Sequence, residues 1–241
     1  MPTLLGGAAA LVLFVLWTLT PSGTRLRRRM MARLYAQVQR RYEEDVAERK
    51  RVLLARLSGT VLEIGPGTGA NFPFLPDRVT EWIGLEPNPY MHAELRRAAA
   101  ARGLEPVIRG VGAEGMEVET ESVDFVLCTL VLCSVSDPAA VLSDVLRVLK
   151  PGGGFVFLEH VAAESGTALR RRQRWLRPLW RYLADGCRLD RETGETIRRA
   201  GFEHVELEEF ELERTAAPSV IAPHIAGIAR KPGSRVADAV V

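Results

Sequence analysis

The chain has 241 residues, of which 47% are hydrophobic and 26% charged, and its formal net charge is +2. This length accommodates one α/β domain with an appendage, and the composition excludes wholesale disorder. The near-neutral charge gives no general argument for nucleic-acid binding. The three cysteines lack the paired spacing of a disulfide framework or a zinc site, so we expect neither a metal nor a nucleic acid as a partner.

The sequence of the N-terminal region predicts a membrane anchor. Residues 4–20, LLGGAAALVLFVLWTLT, carry no charge and reach the lower limit of the roughly 17–25 residues that span a bilayer. An arginine-rich block at 25–29 follows, and the positive-inside rule keeps that side in the cytosol. A signal peptide would carry its basic residues before the apolar run. We therefore predict an uncleaved anchor in residues 1–24; a hairpin within one leaflet and a buried core helix are the alternatives.

The rest of the chain alternates short apolar runs with helical stretches, which predicts an α/β fold with a mainly parallel sheet. A basic helical connector is expected at 25–58, the catalytic domain at 59–231 and a disordered tail at 232–241. Two last extended runs would form an antiparallel edge of the sheet. The predicted strands are 61–64, 81–85, 106–109, 123–128, 154–159, 204–212 and 224–230.

The stretch VLEIGPGTGANF at 61–72 fits two cofactors. Gly65, Gly67 and Ala70 match the dinucleotide fingerprint, and Glu86 lies at the distance of its ribose-binding acid. Gly65, Gly67 and Gly69 behind Glu63 suit S-adenosylmethionine equally well. In that case Glu63 would engage the ammonium side of the ligand, directly or through water, and Glu86 would bind the ribose.

Downstream motifs favour S-adenosylmethionine. Gly112, Ala113 and Glu114 follow the third strand, where an adenine ring with its exocyclic amine fits. The apolar fourth strand ends in CTLVLC, and LKPGGGFVFLEH turns into the fifth strand. In this order the motifs resemble those of the class I S-adenosylmethionine-dependent methyltransferases, which implies a Rossmann-like fold with a seven-stranded sheet.

Read at full length, VLEIGPGTGANFPFLP, LEPNPYM, CTLVLCSVSDP, DGCRLDRET and APHIAG resemble the membrane-anchored alkyl thiol S-methyltransferases. That resemblance implies methyl transfer to small alkyl thiols, including hydrogen sulfide, at the cytosolic face of the endoplasmic reticulum or of lipid droplets. Pro66 and Glu86 depart from the residues common in that family. The implied cofactor-binding residues are Glu63, Gly65, Pro66, Gly67, Gly69, Asn71, Glu86, Pro87, Asn88, Gly112, Ala113, Glu114, Cys128, Thr129 and Leu130.

Few side chains are candidates for a catalytic base. His160 follows the fifth strand and His224 begins the last one, so both are expected at the rim of the sheet where ligands bind. An equally good expectation for each histidine is a structural role, in which its ring forms hydrogen bonds with backbone groups at the rim of the sheet. Glu159 either lines the site or ends its strand. The three cysteines are expected to be small packing residues.

The helix predicted at 170–184 has an apolar stripe containing Trp175 and Trp180 among arginines. It either packs on the fold as a lid or lies on an anionic membrane surface. Two other functions remain open: a methyltransferase acting on a lipid or quinone, and a membrane or lipid-droplet scaffold that binds the cofactor without turnover.

Overall fold

The computed structural model describes residues 20–212 and 219–233. The predicted anchor at residues 4–20 lies outside this part of the chain except for Thr20, and so does most of the predicted tail. Within the described ranges, no helix combines the length and the apolar character needed to cross a bilayer.

Seven strands form one sheet in the order β3-β2-β1-β4-β5-β7-β6. β1 to β5 run parallel, and β7 is antiparallel to both β5 and β6, which confirms the predicted sheet and its antiparallel edge. The strands are β1 Gly59–Ile64, β2 Val79–Leu85, β3 Val107–Arg109, β4 Val123–Thr129, β5 Leu149–His160, β6 His204–Glu211 and β7 Pro223–Arg230. The helices are α1 Pro21–Leu54, α2 His92–Ala101, α3 Pro138–Val148, α4 Ala168–Leu183 and α5 Thr193–Arg199, with short 3-10 turns at Phe72–Phe74 and Ser219–Ile221.

Each face of the sheet is covered by its own apolar layer. Leu54 of α1 and Leu95 of α2 belong to the layer on one face, and Val145 of α3 and Ile197 of α5 belong to the layer on the other. Because both faces are covered, β4 is apolar at nearly every position. The loops at the carboxyl ends of the parallel strands therefore remain as the edge at which a ligand can bind.

The predicted basic connector is a single helix of 34 residues. α1 starts at Pro21, earlier than expected, because Pro21 occupies the first turn and the Thr20 side chain caps the Gly23 N–H at 3.3 Å. Its C-terminal half packs in the core through Val46 and Leu53.

The turn expected before the fifth strand was wrongly predicted. Residues 150–152 lie within β5: Val123 pairs with Leu149 and Phe125 with Gly154, so the intervening residues bulge out of the strand. Asn88 precedes α2 without capping it. Its side-chain oxygen accepts the Tyr90 N–H at 3.2 Å, and the helix begins later, at His92.

Candidate active site

The glycine loop after β1 crosses the sheet edge in a conformation that excludes side chains. Gly65 has φ +62°, and a Cβ there would lie 2.5 Å from Cγ2 of Val131. Its N–H donates to the Leu85 carbonyl at 2.9 Å, which ties the loop to the end of β2. The positive φ and the close approach of Val131 therefore both require glycine at this position.

Glu86 fixes the next loop. Its carboxylate accepts the backbone N–H groups of Gly67 at 2.9 Å and Asn88 at 2.7 Å, one on each oxygen. Burial raises the pKa of this carboxyl, and the two backbone bonds oppose that rise. Each oxygen keeps a lone pair for a further donor, so the group fits the paired hydroxyls of a ribose. Pro87 follows it in the same loop, and the Asn88 side-chain amide donates to the Arg28 carbonyl of α1 at 3.2 Å.

Glu63 lies beneath the glycine loop and is only 1% exposed. Its carboxylate accepts the Asn71 side-chain amide at 2.8 Å and the Trp82 indole N–H at 2.9 Å. Burial raises its pKa to about 7, although these two hydrogen bonds and Lys50 oppose the rise. The carboxylate therefore orients Asn71 and Trp82.

Asn71 carries the polar atom that is left for a ligand. Its amide nitrogen donates both to Glu63 and, at 3.0 Å, to the Thr129 hydroxyl at the end of β4. Its side-chain oxygen is buried and has no hydrogen-bond partner in the described structure. A buried acceptor without a donor is costly, and the ammonium group of S-adenosylmethionine would supply one. The residues present thus fit this cofactor.

The loop after β3 is connected to the loop after β4. Ala113 is buried, and the Glu114 carboxylate accepts the Ser136 N–H at 2.6 Å. Gly112, beside them, has open space around it, with only the Glu114 carboxylate in van der Waals range of an added Cβ. The predicted adenine residues thus lie together, next to the segment that leaves β4.

Glu159, which the sequence left between two roles, anchors the loop that leaves β4. It is fully buried, and its carboxylate accepts the N–H groups of Val131 at 2.8 Å, Leu132 at 3.0 Å and Cys133 at 3.4 Å. This loop starts at Leu130, a non-glycine residue with φ +58°. Cys128, at the end of β4, is buried, and its thiol lies 3.4 Å from the same carboxylate. Glu159 therefore shapes the loop.

His160 and His224 face each other across the pairing of β5 with β7, as expected from their positions. Their ring centroids are 6.3 Å apart and both residues are buried. In the described structure, Nδ1 of His160 and Nε2 of His224 have no hydrogen-bond partner, so each leaves a ring nitrogen for a ligand. His224 is fixed at its other nitrogen by the Ala222 carbonyl at 3.0 Å.

The two histidines differ in basicity. Burial lowers the pKa of His224 to about 4, so this ring is neutral at physiological pH. Burial also works against a charged His160, but the hydrogen-bonded pair of neighbouring cysteines, Cys133 and Cys187, and the Glu159 carboxylate outweigh it and raise the pKa of the imidazole. His160 is thus the stronger base of the pair.

A cluster of sulfur and nitrogen atoms, which we call the Cys-His cluster, adjoins His160. One side-chain atom each of Cys133, His160 and Cys187 lies within 4.8 Å of the others, and all three residues are buried. All three cysteines of the chain are free. Cys133 and Cys187 are buried, as expected of packing residues, and they are in addition in polar contact with the histidine or its partners. No sequence spacing indicated this, since the two cysteines are brought together only by the loops after β4 and α4.

The predicted site residues thus form two groups that meet at the end of β4. The glycine loop with Glu63, Asn71 and Glu86 forms one group, which reaches Thr129 through Asn71. The histidines and the Cys-His cluster form the other, which begins at Cys133 a few residues later. Sequence reasoning did not identify Trp82 or Arg191. The Arg191 guanidinium is buried and donates to the Leu132 and Val135 carbonyls.

Comparison with known proteins places the chain among the methyltransferases. Residues 62–157 match the model of a methyltransferase domain. Human thiol S-methyltransferase TMT1A is 40% identical over 203 residues, which cover 79% of this chain and 81% of the relative. Rat thiol S-methyltransferase TMT1B is 38% identical over 207 residues, 84% of this chain and 83% of the relative.

Among solved structures, an S-adenosylmethionine-dependent methyltransferase from Thermotoga maritima, a possible histamine N-methyltransferase, superposes with a TM-score of 0.60 at 22% identity. The match covers 85% of this chain and 99% of that one, and it supports the fold. The identity to these sequence relatives, over most of both chains, identifies the chain as a member of the thiol S-methyltransferase family, enzymes that transfer a methyl group from S-adenosylmethionine to the sulfur of a thiol.

Proposed function

We propose that the acceptors are small alkyl thiols, including hydrogen sulfide, and that they bind beside His160 and His224. The observation that carries this proposal is a pair of buried ring nitrogens, at the end of β5 and the start of β7, that have no hydrogen-bond partner among the described residues. An alkyl thiol is mostly protonated at neutral pH, and its thiolate is the nucleophile. A base at this position raises the reactive fraction.

In this proposal His160 accepts the thiol proton at Nδ1, because its pKa is raised. The thiol has only one proton, so the neutral His224, whose Nδ1 is fixed by the Ala222 carbonyl, lines the site without taking that proton. The bound cofactor supplies an electrophilic methyl group on a sulfonium. The protein contributes alignment and a site with little water, which an in-line displacement needs.

The cofactor is proposed to lie across the loops that follow β1 to β4. Its ammonium would meet the Asn71 side-chain oxygen, its ribose hydroxyls would meet Glu86, and its adenine would lie by residues 112–114. The backbones of Gly65, Gly67 and Gly69, with Pro66, would form the floor. Pro87, Asn88, Cys128, Thr129 and Leu130 would complete the walls.

A methyl-transfer assay across alkyl thiols, phenols, quinones and lipid amines tests this function with the full chain. His160→Gln should reduce the turnover of alkyl thiols by about 100-fold or more if the imidazole is the base. Turnover of a quinone or lipid but of no thiol would favour a lipid or quinone methyltransferase. Binding of S-adenosylmethionine without turnover of any acceptor would favour the scaffold.

We further propose that the enzyme is held at a membrane by residues 4–20 and by the apolar face of α4. Trp175, Leu179 and Leu183 recur every fourth residue on this helix and are 79%, 56% and 56% exposed. The buried residue of α4 is Gln173, so the exposed stripe favours a membrane surface over a lid packed on the fold. Arginines at 171, 172, 174, 177 and 181 surround the stripe and suit anionic headgroups.

We propose that the membrane bound in this way is the cytosolic face of the endoplasmic reticulum or of lipid droplets. The test is a flotation assay in which the chain lacking residues 1–24 is mixed with anionic vesicles. The same truncated chain carrying Trp175→Ser and Leu179→Ser is compared with it. We expect the two serines to abolish the remaining flotation, whereas Val107→Ser, at an exposed apolar residue of β3, should not. Equal flotation of all variants would contradict a role for α4.

The activity of the same truncated chain on a water-soluble and on a lipophilic thiol then tests whether the acceptor enters from the lipid. If the truncation changes the activity on both thiols equally, that route is contradicted.

A further inference from the structure

The sulfur of Cys187 has three polar side-chain groups close to it. His160 Nε2 lies 2.9 Å from it and Trp180 Nε1 lies 3.2 Å from it. An indole nitrogen can only donate, so the Trp180 contact makes the sulfur an acceptor. The Cys133 thiol adjoins the same sulfur within the Cys-His cluster. This environment is suited to a thiolate, because a neutral thiol is a weak acceptor and a thiolate a strong one.

The tautomer of His160 depends on this contact. When Nε2 carries the proton donated to Cys187, the lone pair of the neutral ring is at Nδ1. Nδ1 is the nitrogen that has no partner in the described structure. A thiol at the position of Cys187 could instead donate to Nε2, which would leave the proton on Nδ1 and the ring unable to accept one there.

We propose that Cys187 is a thiolate and a positioning residue, which fixes the proton of His160 on Nε2 and stabilises the imidazolium formed when Nδ1 receives the proton of the acceptor thiol. This inference rests on the proposed role of His160 as the base. The arrangement corresponds to that of a catalytic triad in which a buried carboxylate orients a histidine, with a thiolate in place of the carboxylate.

The proton transfer balances within the site. The S–H bond of the acceptor breaks, its electron pair stays on the acceptor sulfur, and a new N–H bond forms at Nδ1. The positive charge that results on the ring lies between the Cys187 thiolate and the acceptor thiolate. Cys187 is not methylated or oxidised in this step.

The ionisable groups around Cys187 agree in direction with this assignment. The hydrogen bond with Cys133 is the largest influence on the pKa of Cys187 and lowers it, and Trp180 and Arg191 lower it as well. Burial and Glu159 act in the opposite direction but do not outweigh them. The pKa of Cys133 is raised well above its ordinary value by the same hydrogen bond and by burial, so Cys133 remains a donor.

The test compares two acceptors of similar size and different acidity, ethanethiol and trifluoroethanethiol, on the full chain in detergent. Fluorine withdraws electrons, so the second thiol is largely ionised without help. We expect Cys187→Ser to lower kcat/KM for ethanethiol by about 10- to 100-fold and to leave the value for trifluoroethanethiol within a few-fold. Leu189→Ala, a buried residue two positions away, should lower both values equally if it lowers either.

A second measurement does not depend on turnover. The ultraviolet absorption of thiolate at neutral pH should be lower in Cys187→Ser than in the parent chain by the equivalent of one thiolate. Cys187→Ala should give the same spectroscopic difference, and thus serves if the serine variant does not fold.

The outcomes separate this inference from the proposed function. If His160→Gln shows the selective loss for ethanethiol and Cys187→Ser shows equal losses for both thiols, the role of Cys187 is overturned and that of His160 stands. If His160→Gln shows no selective loss, the proposed base is overturned as well. Stoichiometric zinc in the purified chain that disappears in Cys187→Ser would make Cys187 a metal ligand and overturn the proposal.

Discussion

The buried carboxyl of Glu63 makes the folded state sensitive to pH. A carboxyl whose pKa rises from 4.5 to about 7 on folding is ionised more easily in the unfolded chain. Its contribution to stability is therefore complete below pH 4.5 and is lost as the pH rises through about 7. At about 1.4 kcal/mol for each pH unit, the loss amounts to about 3 kcal/mol.

Glu63→Gln removes this ionisation and keeps the shape of the side chain. The new amide can still accept the Trp82 indole N–H through its oxygen, while its NH₂ group then faces Asn71. Asn71 can adapt by rotating its own amide, because its oxygen is free in the described structure and the Thr129 hydroxyl can donate to that oxygen instead. We therefore expect the variant to fold and to gain stability relative to the parent chain as the pH rises, by about 3 kcal/mol across the titration range.

Denaturant unfolding followed by tryptophan fluorescence measures this difference, since Trp82 is buried against the carboxylate. The free energies of unfolding of both chains are compared between about pH 5 and about pH 8, and Glu94→Gln, at an exposed site on α2, is the matched control. A difference between Glu63→Gln and the parent that stays constant across this range would refute the reasoning. The same rotation of Asn71 removes the acceptor proposed for the cofactor ammonium, so affinity for S-adenosylmethionine should fall while stability rises.

Three further predictions concern the neighbouring loops. Glu86→Gln retains one of the two bonds to the Gly67 and Asn88 N–H groups and opposes the other with an NH₂ group, so calorimetry should show S-adenosylmethionine affinity lowered by about 10- to 100-fold; an unchanged affinity would contradict the ribose assignment. Gly65→Ala should destabilise the fold by about 1–2 kcal/mol from its positive φ alone, in addition to the clash with Val131. Adding Val131→Ala should relieve the clash but not the backbone strain, so that denaturant unfolding shows only partial recovery of stability. Glu159→Gln should lower both stability and turnover, because a neutral oxygen holds the N–H groups of the loop after β4 less strongly than a carboxylate; a rise in stability would show that the cost of burying the charge is larger than the value of these bonds.

Local patterns in the sequence were sufficient for the sheet and for the loops expected to hold a cofactor, whereas the choice of S-adenosylmethionine came from the resemblance of the motifs to those of known methyltransferases. The alternation of apolar runs with helices predicted a mainly parallel sheet with an antiparallel edge, because strand and helix periodicities are local properties of the chain. The glycines after β1 and Glu86 at the end of β2 predicted the cofactor loops for the same reason: each motif lies within a few residues of the strand that positions it.

The acceptor side was decided by tertiary structure. Cys133 and Cys187 are separated along the chain by α3, β5 and α4, and they meet only because the loops after β4 and α4 reach the same edge of the sheet. The register of β5 with β7 likewise sets His160 against His224. No periodicity in the sequence encodes such a contact, because it depends on strand order. The sequence thus determined the sheet and, through the resemblance of its motifs, the cofactor, and the packing of distant loops decided which histidine has a thiol beside it.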